Sequence, residues 1–245
     1  MQAFQTKPKP RSGSAAFTLV EMLVVIAIIS ILMTAGSIGL SGMGGKGVTS
    51  GVATAESLFD EARTTAVGRN IRACVLVARS LSNNHADDLR RIVVAYEETN
   101  ADGTPKQIDP NIAPKWVLSS RGALLPDQTY FSEVYSKIKD PDGGTKDIEK
   151  ITSAANIVGV ENKKGYEGEY FIYVFNSQGI CTTPGARFII GTGARTSTKD
   201  PDAAPPVVTG SAKRDFGGFV VWKNGRTSLF RSPAQMDLPT AVTKF

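Results

Sequence analysis

A near-unbroken apolar run over residues 17–35 limits what this chain can fold into more than any other feature, and its one charged residue is Glu21. As a helix rising 1.5 Å per residue, the run is about 28 Å long, close to the thickness of a bilayer hydrocarbon core. It therefore predicts a membrane-spanning helix. A carboxylate inside such a helix costs about 2.5–3.5 kcal/mol, so Glu21 needs a partner or a proton and is a candidate functional residue.

The residues before this run, 1–16, are basic and contain no acid. Their positive charges predict a cytoplasmic N-terminus and place the rest of the chain on the far side of the inner membrane, in the periplasm. The chain has 28 basic and 23 acidic residues, for a net charge of +5, and three of the basic residues lie in this leader. The remaining charge is about +2, so composition does not support a general affinity for nucleic acid.

A secretory signal peptide or a plain membrane anchor is the alternative interpretation of this N-terminus. In a signal peptide the small residues of the cleavage site follow an apolar core of about 7–15 residues. Here the small residues precede the core, and the core is longer. The sequence therefore favours a different kind of processing.

The motif FTLVEMLVVIAIISIL, residues 17–32, resembles the N-terminal cleavage and methylation motif of type IV prepilins and type II secretion pseudopilins. The resemblance implies cleavage by a prepilin peptidase between Ala16 and Phe17, N-methylation of Phe17, and burial of the helix in a filament. It also implies a salt bridge between the Phe17 amine of one subunit and Glu21 of its neighbour. The family usually has Gly where this chain has Ala16, and alanine is the smallest substitute. The implied partners are other pilin or pseudopilin subunits, the prepilin peptidase and inner-membrane lipid.

After the apolar run, residues 36–51 include seven glycines and predict a flexible, non-helical segment, because glycine costs about 1 kcal/mol in a helix relative to alanine. Residues 52–245 are assigned to a periplasmic domain. The domain begins with apolar residues spaced three and four apart up to Gly68, which predicts an amphipathic helix lying on a sheet.

Short apolar runs follow this helix and predict a mostly antiparallel sheet, hence an α+β fold. The predicted strands cover residues 71–78, 89–96, 116–118, 170–175, 187–190, 219–222 and 227–230. Their order resembles the pilin-like domain of H-type minor pseudopilins across most of residues 52–231. Three polar insertions, 97–111, 140–165 and 196–215, are predicted to be surface loops.

The sequence offers little for catalysis, and neither an enzyme activity nor a cofactor is predicted. His85, the one histidine, lies in a polar loop and is expected to be solvated, because no nearby group would orient it as a base. The stretch 140–147 has some features of a calcium loop, but Gly144 stands where a third acidic ligand is needed, so an acidic turn is favoured over a metal site.

Cys74 and Cys181 are the only cysteines. The oxidising compartment inferred above allows a disulfide between them, whereas their apolar surroundings also suit two buried free thiols. Both alternatives stay open, because the bond depends on a geometry that the sequence does not specify.

A basic cluster near the C-terminus supports a second function. It could bind DNA through charge and stacking, as in DNA-uptake minor pilins that resemble this domain. The neighbouring aromatic residues 216, 219, 222 and 230 are more economically interpreted as core residues of a hairpin. The cluster comprises Lys213, Arg214, Lys223, Arg226 and Arg231.

The predicted function is that of a minor pilin or pseudopilin, a structural subunit that joins a type II secretion pseudopilus or a type IV pilus-like filament through its N-terminal helix. The alternatives are a DNA-binding minor pilin and a membrane-anchored periplasmic binding protein that never assembles.

The first prediction concerns processing. Mass spectrometry of the protein extracted from membranes should find an N-terminus at methylated Phe17, because the peptidase acts at the cytoplasmic end of the apolar helix. An intact Met1 terminus, in cells whose prepilin peptidase processes its other substrates, would contradict the assignment.

Overall fold

A computed structural model describes residues 19–41, 44–106, 114–140, 142–159, 165–195, 201–210 and 215–239, together with Val242 and Phe245. The chain divides into two units, Met1–Ser41 and Gly42–Phe245. The sequence placed the start of the domain at residue 52, ten residues later.

The described part of the first unit is one helix, α1, Leu19–Ser41, with Glu21 in its first turn. Large apolar side chains on all sides of α1 are exposed within this unit, from Leu19 to Ile29. Among the described residues, no helix is both long and apolar enough to cross a membrane. The predicted span 17–35 begins outside the described residues, and it stays a prediction.

The second unit begins with a long helix, α2, Gly44–Arg69. A short helix, α3, covers Ser153–Asn156. The strands described are Ala73–Leu81 (β1), Arg91–Glu97 (β2), Trp116–Leu118 (β3), Ala123–Leu124 (β4), Thr129–Phe131 (β5), Lys137–Lys139 (β6), Thr145–Asp147 (β7), Lys150–Thr152 (β8), Ile157–Val158 (β9), Gly168–Phe175 (β10), Ala186–Thr192 (β11), Phe216–Val221 (β12) and Thr227–Leu229 (β13).

These strands form two sheets. The larger has the order β8-β10-β1-β2-β3-β9, with β4 also paired to β2, and the smaller has the order β13-β12-β11-β6-β7, with β5 also paired to β11. All pairs are antiparallel except β3 with β9. The predicted α+β class, a helix followed by a mostly antiparallel sheet domain, is confirmed.

The main core lies where α2 covers both sheets. Phe59 of α2 is fully buried and contacts the rings of Tyr173 and Phe175 on the large sheet and of Phe188 and Phe219 on the small sheet. The predicted amphipathic helix is confirmed, because its apolar stripe is the face that packs here.

A second core lies on the opposite face of the large sheet. It includes Leu76, Trp116 and Tyr170, and it is completed by Ile151 and Ile157 from the insertion 140–165. The prediction that this insertion is a surface loop is wrong, because strands β7 to β9 and helix α3 lie within it. The three buried isoleucines of the insertion lie too far apart in sequence to form an apolar run. They are Ile148, Ile151 and Ile157.

The glycine-rich segment 36–51 is helical wherever the structure describes it, since α1 continues to Ser41 and α2 begins at Gly44. The prediction that it is not helical is therefore wrong. A Cβ at Gly51 would lie 2.8 Å from Ile190 Cδ1 and 3.2 Å from Pro126 Cδ. At this position glycine allows the helix to approach the sheet, and this packing offsets its low helix propensity.

The second prediction compares two glycines of α2. Gly51→Leu should lower the free energy of unfolding by about 1–3 kcal/mol, because the added side chain would overpack the contact with Ile190. Gly68→Leu should raise it by up to about 1 kcal/mol, because a Cβ there meets nothing within 4 Å and leucine favours helix. Urea unfolding of residues 44–245, followed by circular dichroism, measures both. Equal effects of the two substitutions would show that close packing does not explain Gly51.

Candidate functional site

The N-terminal motif is only partly within the described structure. Ala16 and Phe17, the predicted cleavage and methylation residues, lie outside the described residues. Glu21 is exposed in the first turn of α1, among exposed apolar neighbours that include Leu19 and Val20. Such a surface is an ordinary binding face for lipid or for other apolar helices. The cleavage, methylation and salt-bridge roles stay predictions.

The predicted basic cluster is partly described, because Lys213 and Arg214 lie outside the described residues. The other three residues lie on and just after the hairpin of β12 and β13. Lys223, Arg226 and Arg231 are exposed, and none forms an ion pair with a residue that the structure describes. Their charge is therefore available to a partner.

The interpretation of the neighbouring aromatic residues as core is correct for Phe216 and Phe219 and wrong for Trp222. Trp222 is 50% exposed. Its indole Nε1 donates a hydrogen bond to Ser228 Oγ at 2.8 Å, which fixes the ring across the hairpin. It follows Val221, the last residue of β12, whose side chain faces the core, so the alternation of the strand turns the indole outward.

A groove of about 840 Å³ opens on the outer face of the small sheet, beside Trp222. We call it the hairpin groove. Its apolar surface comes largely from the β12–β13 hairpin, and cations and anions lie at its rim. It is lined by Lys139, Asp140, Gly143, Pro184, Gly185, Arg187, Val220, Trp222, Lys223, Ser228, Leu229, Phe230, Gln235 and Asp237.

Both carboxylates of the hairpin groove are paired. Asp237 lies 2.9 Å from Arg187 and 3.3 Å from Lys139, and the hydrogen bond from Arg187 lowers the pKa of Asp237. Asp140 lies 3.5 Å from Lys146. Lys223 has no acidic partner among the described residues, and the groove lining has three cations and two carboxylates, so the groove presents a net positive charge.

A second cavity, of about 890 Å³, lies over β4 on the large sheet. The Arg91 guanidinium lies 5.0 Å from the centre of the Tyr166 ring at its wall, and it also bonds to Asp87. The Tyr166 hydroxyl donates to the Arg121 carbonyl. These contacts hold the side chains of Arg91 and Tyr166 within the fold.

The expectation that His85 is a solvated loop residue is wrong. Its Nδ1 lies 2.9 Å from Oδ2 of Asp88, which is fully buried. Asp88 also accepts from the Leu81 N–H and lies 3.7 Å from Arg195, whose guanidinium donates to the His85 carbonyl. Burial raises the pKa of Asp88, although these hydrogen bonds lower it. The network connects the loop after β1 to the residues that follow β11. Because these contacts join residues far apart in sequence, no local sequence pattern predicts them.

A second charge network was also missed from the sequence. Arg79 on β1 is largely buried and contacts three carboxylates, Glu133, Glu169 and Asp202. The three come from different parts of the chain, so the pairing could not be inferred from spacing. It fastens residues 201–210 to the large sheet.

The two cysteines are buried free thiols. Cys74 belongs to the core on one face of the large sheet, and Cys181 belongs to the main core on the other. Because the sheet separates their side chains, the disulfide considered as one alternative from the sequence is not formed in this structure. Burial raises the pKa of both thiols.

The described residues contain no group of three or more His, Cys, Asp or Glu side chains arranged to hold a metal ion. In the stretch that has features of a calcium loop, Asp140 forms a tight turn in which the Gly143 N–H donates to its carbonyl.

Comparison with known proteins gives one family match. Residues 11–37 match the family described as the prokaryotic N-terminal methylation motif. This match confirms the resemblance predicted from residues 17–32. No curated protein matches the sequence significantly. The crystal structure of the type IV minor pilin FimU from Pseudomonas aeruginosa is 10% identical, with 79% of this chain and 93% of that chain covered and a TM-score of 0.32, which is too low to establish a shared fold.

The third prediction concerns the thiols. Ellman's reagent should not react with the native protein at pH 8, because both thiols are buried and burial raises their pKa, which keeps the thiolate fraction low. After denaturation without reductant it should detect both thiols of the chain. Protein isolated under oxidising conditions that shows no thiol after denaturation would mean that the disulfide forms.

Proposed function

We propose that this protein is a minor pilin or pseudopilin, a subunit of a type IV pilus-like filament or a type II secretion pseudopilus. It is inserted in the inner membrane with its domain in the periplasm, processed before Phe17 by a prepilin peptidase, and assembled with other pilin subunits through α1. The single observation that carries the proposal is the match of residues 11–37 to the prokaryotic N-terminal methylation motif.

The placement of Glu21 supports an assembly role for this motif. It lies in the first turn of α1, in a helix whose exposed large side chains from Leu19 to Ile29 are otherwise apolar. In a filament core, little water can solvate its carboxylate or the new amine at Phe17. Pairing the amine of one subunit with the carboxylate of its neighbour compensates both charges and sets the axial register between them.

The second unit supports a structural role. Its main core is closed by its own helix α2, and its buried carboxylates, Asp88 among them, are paired inside the fold. Asp88 of the His85–Asp88 pair is also bonded to the Leu81 N–H and lies beside Arg195, so the pair is better explained as a tie between loops than as an acid-base site. A self-contained domain on an apolar helix suits a subunit joined to its neighbours mainly by that helix.

Two alternatives lead to different measurements. A DNA-binding minor pilin would use the hairpin cations beside Trp222, and it would show DNA binding that weakens steeply with salt. A membrane-anchored binding protein would keep its leader and would not be recovered with filaments.

The fourth prediction tests Glu21. Glu21→Ala should leave membrane insertion and cleavage before Phe17 intact, because the helix loses its most costly side chain and the peptidase acts before assembly. Incorporation into filaments should fail, because an unpaired buried ammonium costs about 3–5 kcal/mol. Leader removal, membrane retention and recovery in sheared filaments should be compared in the native host.

The matched control is Ser30→Ala on the same helix. The Ser30 hydroxyl donates to the Ile26 carbonyl of its own helix, so removing it should not affect a bond between subunits. If Glu21→Ala is incorporated as well as Ser30→Ala, the proposed pairing is wrong.

A further inference from the structure

We propose that the hairpin groove is a docking site for an extended acidic segment of a partner protein, one that carries apolar side chains between its carboxylates. This inference goes beyond filament assembly and does not depend on it. It rests on an unpaired sheet edge, an exposed apolar surface and uncompensated cations, all contributed by one hairpin.

The sheet edge supplies the backbone bonds. β13 is the last strand of the small sheet and pairs only with β12 among the described residues. Val220 stands opposite Ser228, and Phe230 donates its N–H to the Gly218 carbonyl. Because bonded pairs alternate in an antiparallel ladder, Thr227 and Leu229 direct their N–H and C=O groups to the outer edge. An added strand would bond to them at its own two-residue spacing.

The apolar surface supplies the affinity for side chains. Leu229 is 53% exposed and Trp222 is 50% exposed, and both line the groove. Leu229 stands opposite the buried Phe219, so it lies at the open edge of the sheet rather than beside the indole. The hydrogen bond from Trp222 to Ser228 holds the indole in place before binding, so little entropy is lost when a ligand packs against it.

The cations around the groove favour a partner that carries negative charge. Lys223 lies on the groove lining, and Arg226 and Arg231 lie at the two ends of β13. These cations have no ion-pair partner among the residues described, whereas both groove carboxylates are paired with cations. An acidic strand laid along β13 would therefore meet a cation at each end of β13, and between them the Glu56 carboxylate of α2 is already occupied by a hydrogen bond from the Thr227 hydroxyl.

An acidic peptide fits these features better than DNA does. A phosphodiester backbone could use the cations and stack on Trp222, but it offers no N–H and C=O groups at the spacing of the β13 edge. It would also leave the apolar surface around Leu229 against charged phosphates.

The fifth prediction tests the groove in the full-length protein held in a neutral detergent. The probe is a short synthetic peptide in which Glu alternates with Leu and Val, and the signal is the change in tryptophan fluorescence on binding. That change reports on Trp222, because Trp116, the other tryptophan, is buried away from the groove and should emit equally with and without peptide. Binding should be saturable and weakened by salt. The double variant Lys223→Glu, Arg226→Glu should weaken it about tenfold or more, because like charges now face the peptide.

The matched control is Lys115→Glu, Arg121→Glu, which reverses two exposed charges on the large sheet and should leave affinity within about twofold. Amide chemical-shift changes should concentrate at Thr227 and Leu229. No response at millimolar peptide, or an equal response to the same peptide with Lys in place of Glu, would overturn the proposal. Tighter binding of a single-stranded oligonucleotide, or self-association that the double variant abolishes, would assign the groove to DNA or to a second copy instead.

Discussion

The fold of the second unit depends on the packing of Phe59 between two sheets. Its ring centre lies 5.0 Å from that of Tyr173 on the large sheet and 5.0 Å from that of Phe219 on the small one. Ala55 and Ala62, on either side of Phe59 along the same face of α2, are fully buried. One large side chain flanked by small ones lets both sheets approach the helix closely, so a single helix can complete the inner layer of both.

This arrangement decides which surfaces remain for partners. Helix α2 covers the inner faces of both sheets, and the 140–165 insertion covers the outer face of the large sheet. The outer face of the small sheet is only partly covered by the described residues. The edge strand β13 and the exposed Trp222 lie there. The hairpin groove is therefore a consequence of the layer order, since nothing in the described chain is packed over it.

Local patterns in the sequence identified the elements whose signal is local. The three-and-four spacing predicted α2, and the apolar run at 170–175 predicted most of β10. The same patterns failed where contacts between residues far apart in sequence determine the local structure. Gly51 is helical because Ile190 and Pro126 pack against it, and His85 is held by Asp88 and Arg195. The prediction for Trp222 failed because Phe219 and Val221 face the core, so the alternation of side chains places the indole on the opposite side of the strand.

Charge compensation distinguishes the charged residues that are paired within the fold from those that remain available to a partner. Arg79 and Asp88, both poorly exposed, have opposite charges beside them, as the cost of an unpaired buried ion requires. Exposed cations such as Lys223 carry no such cost, so their lack of ion pairs alone would mean little. They become informative beside Trp222 and an unpaired strand edge, because apolar exposure is unfavourable in water and an open edge is a template for an added strand. A partner that covers all three would bury the apolar surface, extend the sheet and pair the cations together.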